Sequence, residues 1–192
     1  MDLELKKWDA MRAGDGEAFA WLYAKYFKLL YNYGRKIGAG DAALQDAIHD
    51  LFVDLWRFRD NLSETTSVRF YLYRSIRRRL VRNDPSRSFF TADGIVIEDA
   101  LQVSTPSLEE NLIAEEKQNQ RLNRLKKLLN DLTPRQYEAL VLRFYDEMSF
   151  EDIGSILQVN EQSARNLVQR GLAQMKQYAK YVLSLWCCLF LF

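Results

Sequence analysis

Ser149-Phe150-Glu151-Asp152-Ile153-Gly154-Ser155-Ile156-Leu157 is followed by Gln158-Val159-Asn160, then by Glu161-Gln162-Ser163-Ala164-Arg165-Asn166-Leu167-Val168-Gln169-Arg170. Ser149 supplies an N-cap to a short helix carrying Ile153, Ile156 and Leu157 on one face. Asn160 caps a second, longer helix that buries Ala164, Leu167, Val168, Leu172 and Met175. A short capped helix, a three-residue turn and a longer helix have the proportions of a helix-turn-helix over 149–175. The second helix then turns Gln162, Ser163, Arg165, Asn166, Gln169 and Arg170 outward. Arg, Asn and Gln are the side chains that read guanine and adenine edges in the major groove. Short helix pairs are common in helical proteins, so the segment permits DNA binding without requiring it.

Immediately upstream, Thr133-Pro134-Arg135-Gln136 combines a Thr N-cap, proline at the first helical position and Gln at the third. Tyr137, Leu140, Val141 and Phe144 follow as an apolar stripe. The helical unit that contains these parts is expected to begin near Ile113 and to run to about residue 181.

The N-terminal half has the same helical period. Asp15 caps a helix lined by Phe19, Leu22, Tyr23, Tyr26, Leu30, Tyr33 and Ile37, and Gly38-Ala39-Gly40 stops it. A second helix is expected over about Asp41–Arg59, with Ala47, Ile48, Leu51, Phe52, Leu55 and Trp56 as its apolar face. A polar loop, 61–67, leads to a third helix from about Val68 to Arg82. With so few prolines and glycines, and no sustained strict alternation, the chain reads as all-α: two small helical domains joined by a linker, the C-terminal one containing the helix-turn-helix.

The expected N-terminal domain is 1–83. Between Asn83 and Glu116 apolar periodicity fails, and eight acids face a single arginine, a balance of −7. This reads as an acidic, extended linker, assigned to 84–112. The apolar end, 182–192, has eleven residues, too few for a bilayer core that needs about 20 in a helix. It is expected to pack on its own domain.

Twenty-seven Lys and Arg against 26 Asp and Glu exclude a generally basic binder, so nucleic-acid contact must come from segregated charge. Two adjacent cysteines and one histidine cannot build a disulfide scaffold or a multi-histidine metal cage. The opening residues carry neither a basic stretch nor an apolar core, which points to a cytoplasmic protein without a secretory signal. No glycine-rich phosphate loop, nucleophile elbow or metal-ligand spacing appears, so neither catalysis nor a cofactor nor a small-molecule substrate is expected.

Two charge patterns stand out. The third helix holds Arg69, Arg74, Arg77, Arg78, Arg79 and Arg82 with no acid between them, interleaved with Phe70, Tyr71 and Tyr73. Guanidinium groups for phosphates beside aromatic faces for unpaired bases describe a single-strand or opened-duplex site; otherwise this is a solvated helix with its aromatics in the core. On the second helix Asp46, Asp50 and Asp54 recur at steps of four. Like charges at that spacing cost about 0.2–0.5 kcal/mol per pair, which a basic protein partner would offset. His49 beside them reads as a structural hydrogen-bonding group.

In this order, the parts resemble bacterial sigma factors of the extracytoplasmic-function group. Gly14-Asp15-Gly16-Glu17-Ala18-Phe19 with Leu22-Tyr23 is similar to the family's opening helix. Gln45-Asp46-Ala47-Ile48-His49-Asp50-Leu51-Phe52-Val53-Asp54-Leu55-Trp56 resembles its polymerase-binding helix, with His49 where Gln is more frequent. Phe70-Tyr71-Leu72-Tyr73-Arg74-Ser75-Ile76-Arg77 resembles its minus-ten segment, and 132–166 its minus-thirty-five helix-turn-helix, with Gln158 where many members have Gly.

The resemblance implies that Asp46, His49, Asp50 and Asp54 dock on the clamp helices of core RNA polymerase. Asn61 and Ser63 would help form a pocket for a flipped minus-ten base, and Arg69, Phe70, Tyr71, Tyr73, Arg74, Arg77 and Arg78 would hold the opened promoter strand. Gln162, Ser163, Arg165, Asn166, Gln169 and Arg170 would contact the minus-thirty-five duplex. The linker would thread the polymerase's RNA path, and an anti-sigma factor is implied as a further partner. Two other classes remain open: an autonomous helix-turn-helix regulator, which leaves the Asp46/Asp50/Asp54 stripe without a role, and a helical adaptor with no nucleic-acid function.

Overall fold

The computed structural model describes residues 3–83 and 131–190, with side chains through 81 in the first segment and through 176 in the second. All regular structure among the described residues is helical. The chain divides into two compact units, Met1–Phe90 and Thr91–Phe192. The expected linker at 84–112 and the expected start of the second unit near Ile113 lie outside the described residues.

The first unit holds four helices: α1 (Leu3–Arg12), α2 (Gly16–Lys36), α3 (Asp41–Arg57) and α4 (Val68–Asn83), with a 3-10 turn at Arg59–Asn61 between the last two. Asp15 caps α2 as its position predicts, one carboxylate oxygen accepting from the Glu17 and Ala18 amides at 2.8 and 3.1 Å. Gly14 takes φ +93°, a left-handed turn that lets the chain leave α1 and enter that cap. The core draws Leu22, Tyr26, Leu30 and Tyr33 from α2, with Leu44, Ile48, Leu51 and Phe52 from α3. Val68, Leu72, Tyr73 and Ile76 complete it from α4. Gly34 lets α2 approach α3 closely, because a Cβ there would collide with the buried Leu44 side chain.

Helix α1 is not apparent in the sequence pattern. Only Trp8 and Met11 of its ten residues are buried, too thin a stripe to register as periodicity. Both are deeply buried, so packing rather than propensity holds the helix.

The second unit contains α5 (Pro134–Leu140), a π turn at Val141–Tyr145, α6 (Phe150–Leu157) and α7 (Glu161–Phe190). Both halves of the capping box form at α5: the Thr133 amide donates to Gln136 Oε1, and the Gln136 amide donates to Thr133 Oγ1. The expected stripe Tyr137, Leu140, Val141 and Phe144 holds only in part. Leu140 and Val141 are buried, but Phe144 is 60% exposed. The π turn, closed by the Asp146 amide on the Val141 carbonyl, adds a residue to the turn and rotates Phe144 out of the α-helical register.

The expected pair of helices and their turn are present. Ser149 caps α6 by accepting from the Asp152 amide at 3.0 Å, and Asn160 accepts from the Ser163 amide at 2.7 Å. Gly154 has no room for a side chain, since a Cβ would sit 2.8 Å from the Val159 carbonyl oxygen. Gln158 ends α6 in the left-handed region, φ 58° and ψ 47°. That conformation costs a non-glycine residue about 1–2 kcal/mol, part of which glycine would return through its freer unfolded state. Gln158→Gly is therefore expected to stabilise the protein by about 0.5–1 kcal/mol, read as a higher thermal midpoint. A lower midpoint would show that the Gln158 side chain itself holds the turn. Beyond the turn the backbone of α7 continues helically to Phe190, so the segment expected as a separate apolar tail from 182 extends the same helix. Its expected packing lies outside the described residues.

Candidate nucleic-acid interface

On α3, Asp46, His49 and Asp50 are exposed along the outer face. Asp54 differs from them: its carboxylate is ion-paired with the Arg79 guanidinium of α4. The sequence pattern treats the three acids as one free stripe, but the fold leaves two outward and binds the third, because α4 packs beside the last turns of α3.

The arginine-rich helix divides in the same way. Arg74 and Arg78 face outward, and Arg77 is half-buried. Arg69 lies over the Tyr73 ring, 5.6 Å from its centroid. Tyr73 is fully buried against Tyr33, their rings 4.9 Å apart, so it belongs to the core and cannot stack on a base. The expected role for Tyr73 is thereby corrected. Phe70 and Tyr71 are half-buried and keep accessible surface.

Asn61 and Ser63 are exposed in the connection between α3 and α4. Two residues of α1 grip this connection from behind: Arg12 Nε donates to the Leu62 carbonyl at 2.8 Å, and Trp8 Nε1 donates, at a long 3.4 Å, to that of Ser63. The Trp8 ring also packs on Tyr71, centroids 5.0 Å apart. At its other end α1 is tied to α2 through Glu4, whose carboxylate accepts from Lys25 and from the Tyr26 hydroxyl. Burial opposes the Glu4 charge, but those hydrogen bonds and the Lys25 and Arg69 charges outweigh it and hold the carboxyl below the usual glutamate range.

Between this connection, α3 and α4 opens a cavity of about 290 Å³. Leu51, Leu55, Phe58 and Leu62 give it apolar walls, Tyr71 an aromatic one, and Asp54, Ser75, Arg78 and Arg79 a polar rim. Sequence reasoning passed over Trp8 and Arg12, since neither belongs to a charge run or a periodic stripe.

In the second unit, Gln162, Gln169 and Arg170 of α7 are exposed, and Gln162 donates to Asn166 Oδ1 at 3.3 Å. Ser163, Asn166 and Arg170 line a hollow of about 290 Å³ together with Val159, Leu167 and Arg135. Arg135 was legible only as part of the cap of α5; its charge joins Ser163, Asn166 and Arg170 because α5 packs against α7. Arg165 is restrained by Glu161 at 2.7 Å and lies 4.4 Å over the Phe150 ring. Among the described residues no group of three or more His, Cys, Asp or Glu side chains gathers to hold a metal, and no helix is long and apolar enough to cross a membrane.

The two faces fall within two known protein families. Residues 22–83 match Sigma-70 region 2, and residues 122–175 match Sigma-70 region 4. Comparison with curated proteins by sequence returns no match. Among solved structures, the fold is similar to that of CnrH in complex with the cytosolic domain of CnrY, with a TM-score of 0.65 at 17% identity, over 94% of this chain and 99% of the other. Helices α2–α4 thus fall in region 2, and α5, α6 and the first part of α7 in region 4. Carrying both regions in sequence, the chain belongs to the sigma-70 family and is a sigma factor directing transcription initiation.

Proposed function

We propose that this sigma factor belongs to the extracytoplasmic-function group and works in the cytoplasm through these two promoter-reading units. The observation that carries the residue assignment is the separation of charge within the first unit: Asp46 and Asp50 outward on α3, Arg74 and Arg78 outward on α4. The acidic face suits the basic surface of core RNA polymerase, and the guanidinium face suits promoter phosphates. Chemistry is left to the polymerase, and this chain contributes position and selection.

The cavity beside Tyr71 accepts an unstacked minus-ten base. Tyr71 offers a ring for stacking, and Ser75, Arg78 and the Asp54 carboxylate offer polar edges. Phe70, Arg74 and Arg78 hold the strand that carries that base, while Asn61 and Ser63 meet it at the mouth of the loop. In the second unit, Gln162, Ser163, Asn166, Gln169 and Arg170, joined by Arg135, face the minus-thirty-five duplex, and Arg165 acts from its tether on Glu161. CnrH is bound by a cytosolic domain of another protein; an anti-sigma factor that grips this chain comparably is the regulatory partner proposed here. An autonomous regulator would leave the exposed acids of α3 without a role.

The reading is tested by assembling the purified chain with core RNA polymerase and selecting promoters from a randomised DNA library. Co-elution with polymerase and enrichment of paired upstream and downstream elements are expected. Gln169→Ala should lower discrimination at the upstream element by about 1–3 kcal/mol and leave co-elution intact. A folded chain that elutes apart from competent polymerase would overturn the reading.

A further inference from the structure

Helix α1 lies before the segment that matches region 2, and no part of the function above uses it. Its contacts nevertheless converge on the minus-ten cavity. Leu62 and Tyr71 stand on different elements, one in the connection after α3 and the other on α4, and both line that cavity. Arg12 holds the carbonyl of the first, and Trp8 packs on the ring of the second. Trp8 also donates to the Ser63 carbonyl, so two consecutive carbonyls of the connection accept from one helix.

We propose that Trp8 and Arg12 are positioning residues for minus-ten selection, fixing Leu62 and Tyr71 at the spacing one unstacked base requires. The proposal rests on the cavity being the base site. A connection of this kind has little regular structure of its own; its backbone bonds include Asn61 to Phe58 and Leu62 to Arg59 within the 3-10 turn. From there to the start of α4 the Leu62 and Ser63 carbonyls face α1 and take their hydrogen bonds from it. Selectivity in a pocket depends on walls held within a fraction of an ångström, because a loose wall lets a competing base find comparable contacts. A rigid anchor for those walls is available: Trp8 is 1% exposed, and Glu4 fastens the far end of α1 to α2.

The test uses full-length protein assembled with core polymerase and a library randomised in the downstream element. Arg12→Gln removes the guanidinium bond to Leu62, together with the exposed ion pair to Asp9, at a side chain that is 27% exposed, and the thermal midpoint is followed alongside. Trp8→Phe keeps an aromatic body against Tyr71 and removes the indole donor. Each is expected to reduce the preference for the favoured downstream base about fivefold, with polymerase binding and upstream preference as in the wild type. A general loss of stability would lower both preferences together, and would count against a positioning role. Tyr71→Ala serves as reference: if it flattens base preference while Arg12→Gln and Trp8→Phe do not, the proposal is wrong and the cavity reading stands. If Tyr71→Ala also leaves preference unchanged, the cavity is not the base site and both readings fall.

Discussion

Replacing Tyr73 by alanine is expected to cost the first unit about 3–5 kcal/mol, the range for removing a large aromatic from a core. The ring is fully buried and meets Tyr33 across the interface between α2 and α4. Arg69 lies over the same ring, so its removal would also unseat a packed guanidinium. Single domains hold about 5–15 kcal/mol in total, which makes this loss enough to unfold much of the population near physiological temperature. Denaturant titration followed by circular dichroism should show the shifted midpoint. Phe70→Ala, three positions earlier on α4 and only half-buried, should keep the wild-type midpoint and weaken promoter opening instead. A Tyr73→Ala protein of undiminished stability that had lost only DNA binding would put Tyr73 back among the base-stacking residues.

Reversing Asp46 and Asp50 together to lysine is expected to lower affinity for core RNA polymerase by about tenfold or more at low ionic strength. The change leaves two outward carboxylates replaced by two ammonium groups on a face that presents no core residue, so helix content and thermal midpoint should hold. The defect should shrink as salt rises, because the screening length falls from about 10 Å at 0.1 M to about 3 Å at 1 M. Equal affinity at low salt would mean that this face of α3 meets only solvent. Asp54 is left out of the substitution deliberately: its carboxylate holds Arg79, so its loss would disturb α4 as well.

Much of the architecture was readable from periodicity and capping. Asp15, Thr133, Ser149 and Asn160 each cap the helix their position suggests, since the side-chain oxygen acts on amides two or three residues away. Long-range choices were not readable. Tyr73 and Tyr71 look equivalent in a run where aromatics and arginines alternate, yet Tyr73 turns into the core against Tyr33 while Tyr71 packs on Trp8 and keeps accessible surface. Likewise nothing local marks Asp54 as different from Asp50; the difference is Arg79, 25 residues away. Phe144 followed the helical period until the π turn shifted the register. Helix α1 was invisible because it buries only Trp8 and Met11, and its polar contacts, through Glu4, Trp8 and Arg12, reach distant parts of the chain.

The ion pair between Asp54 and Arg79 joins the helix that carries the outward acids to the helix that carries the outward arginines. Neither position is therefore free to drift on its own. Losing the acid would release a guanidinium at the rim of the cavity beside Tyr71; losing the arginine would add a third unpaired carboxylate to the α3 face. Each single change would thus alter the charge that the other helix presents. An engineer who wishes to retarget one face therefore inherits an obligation to the other.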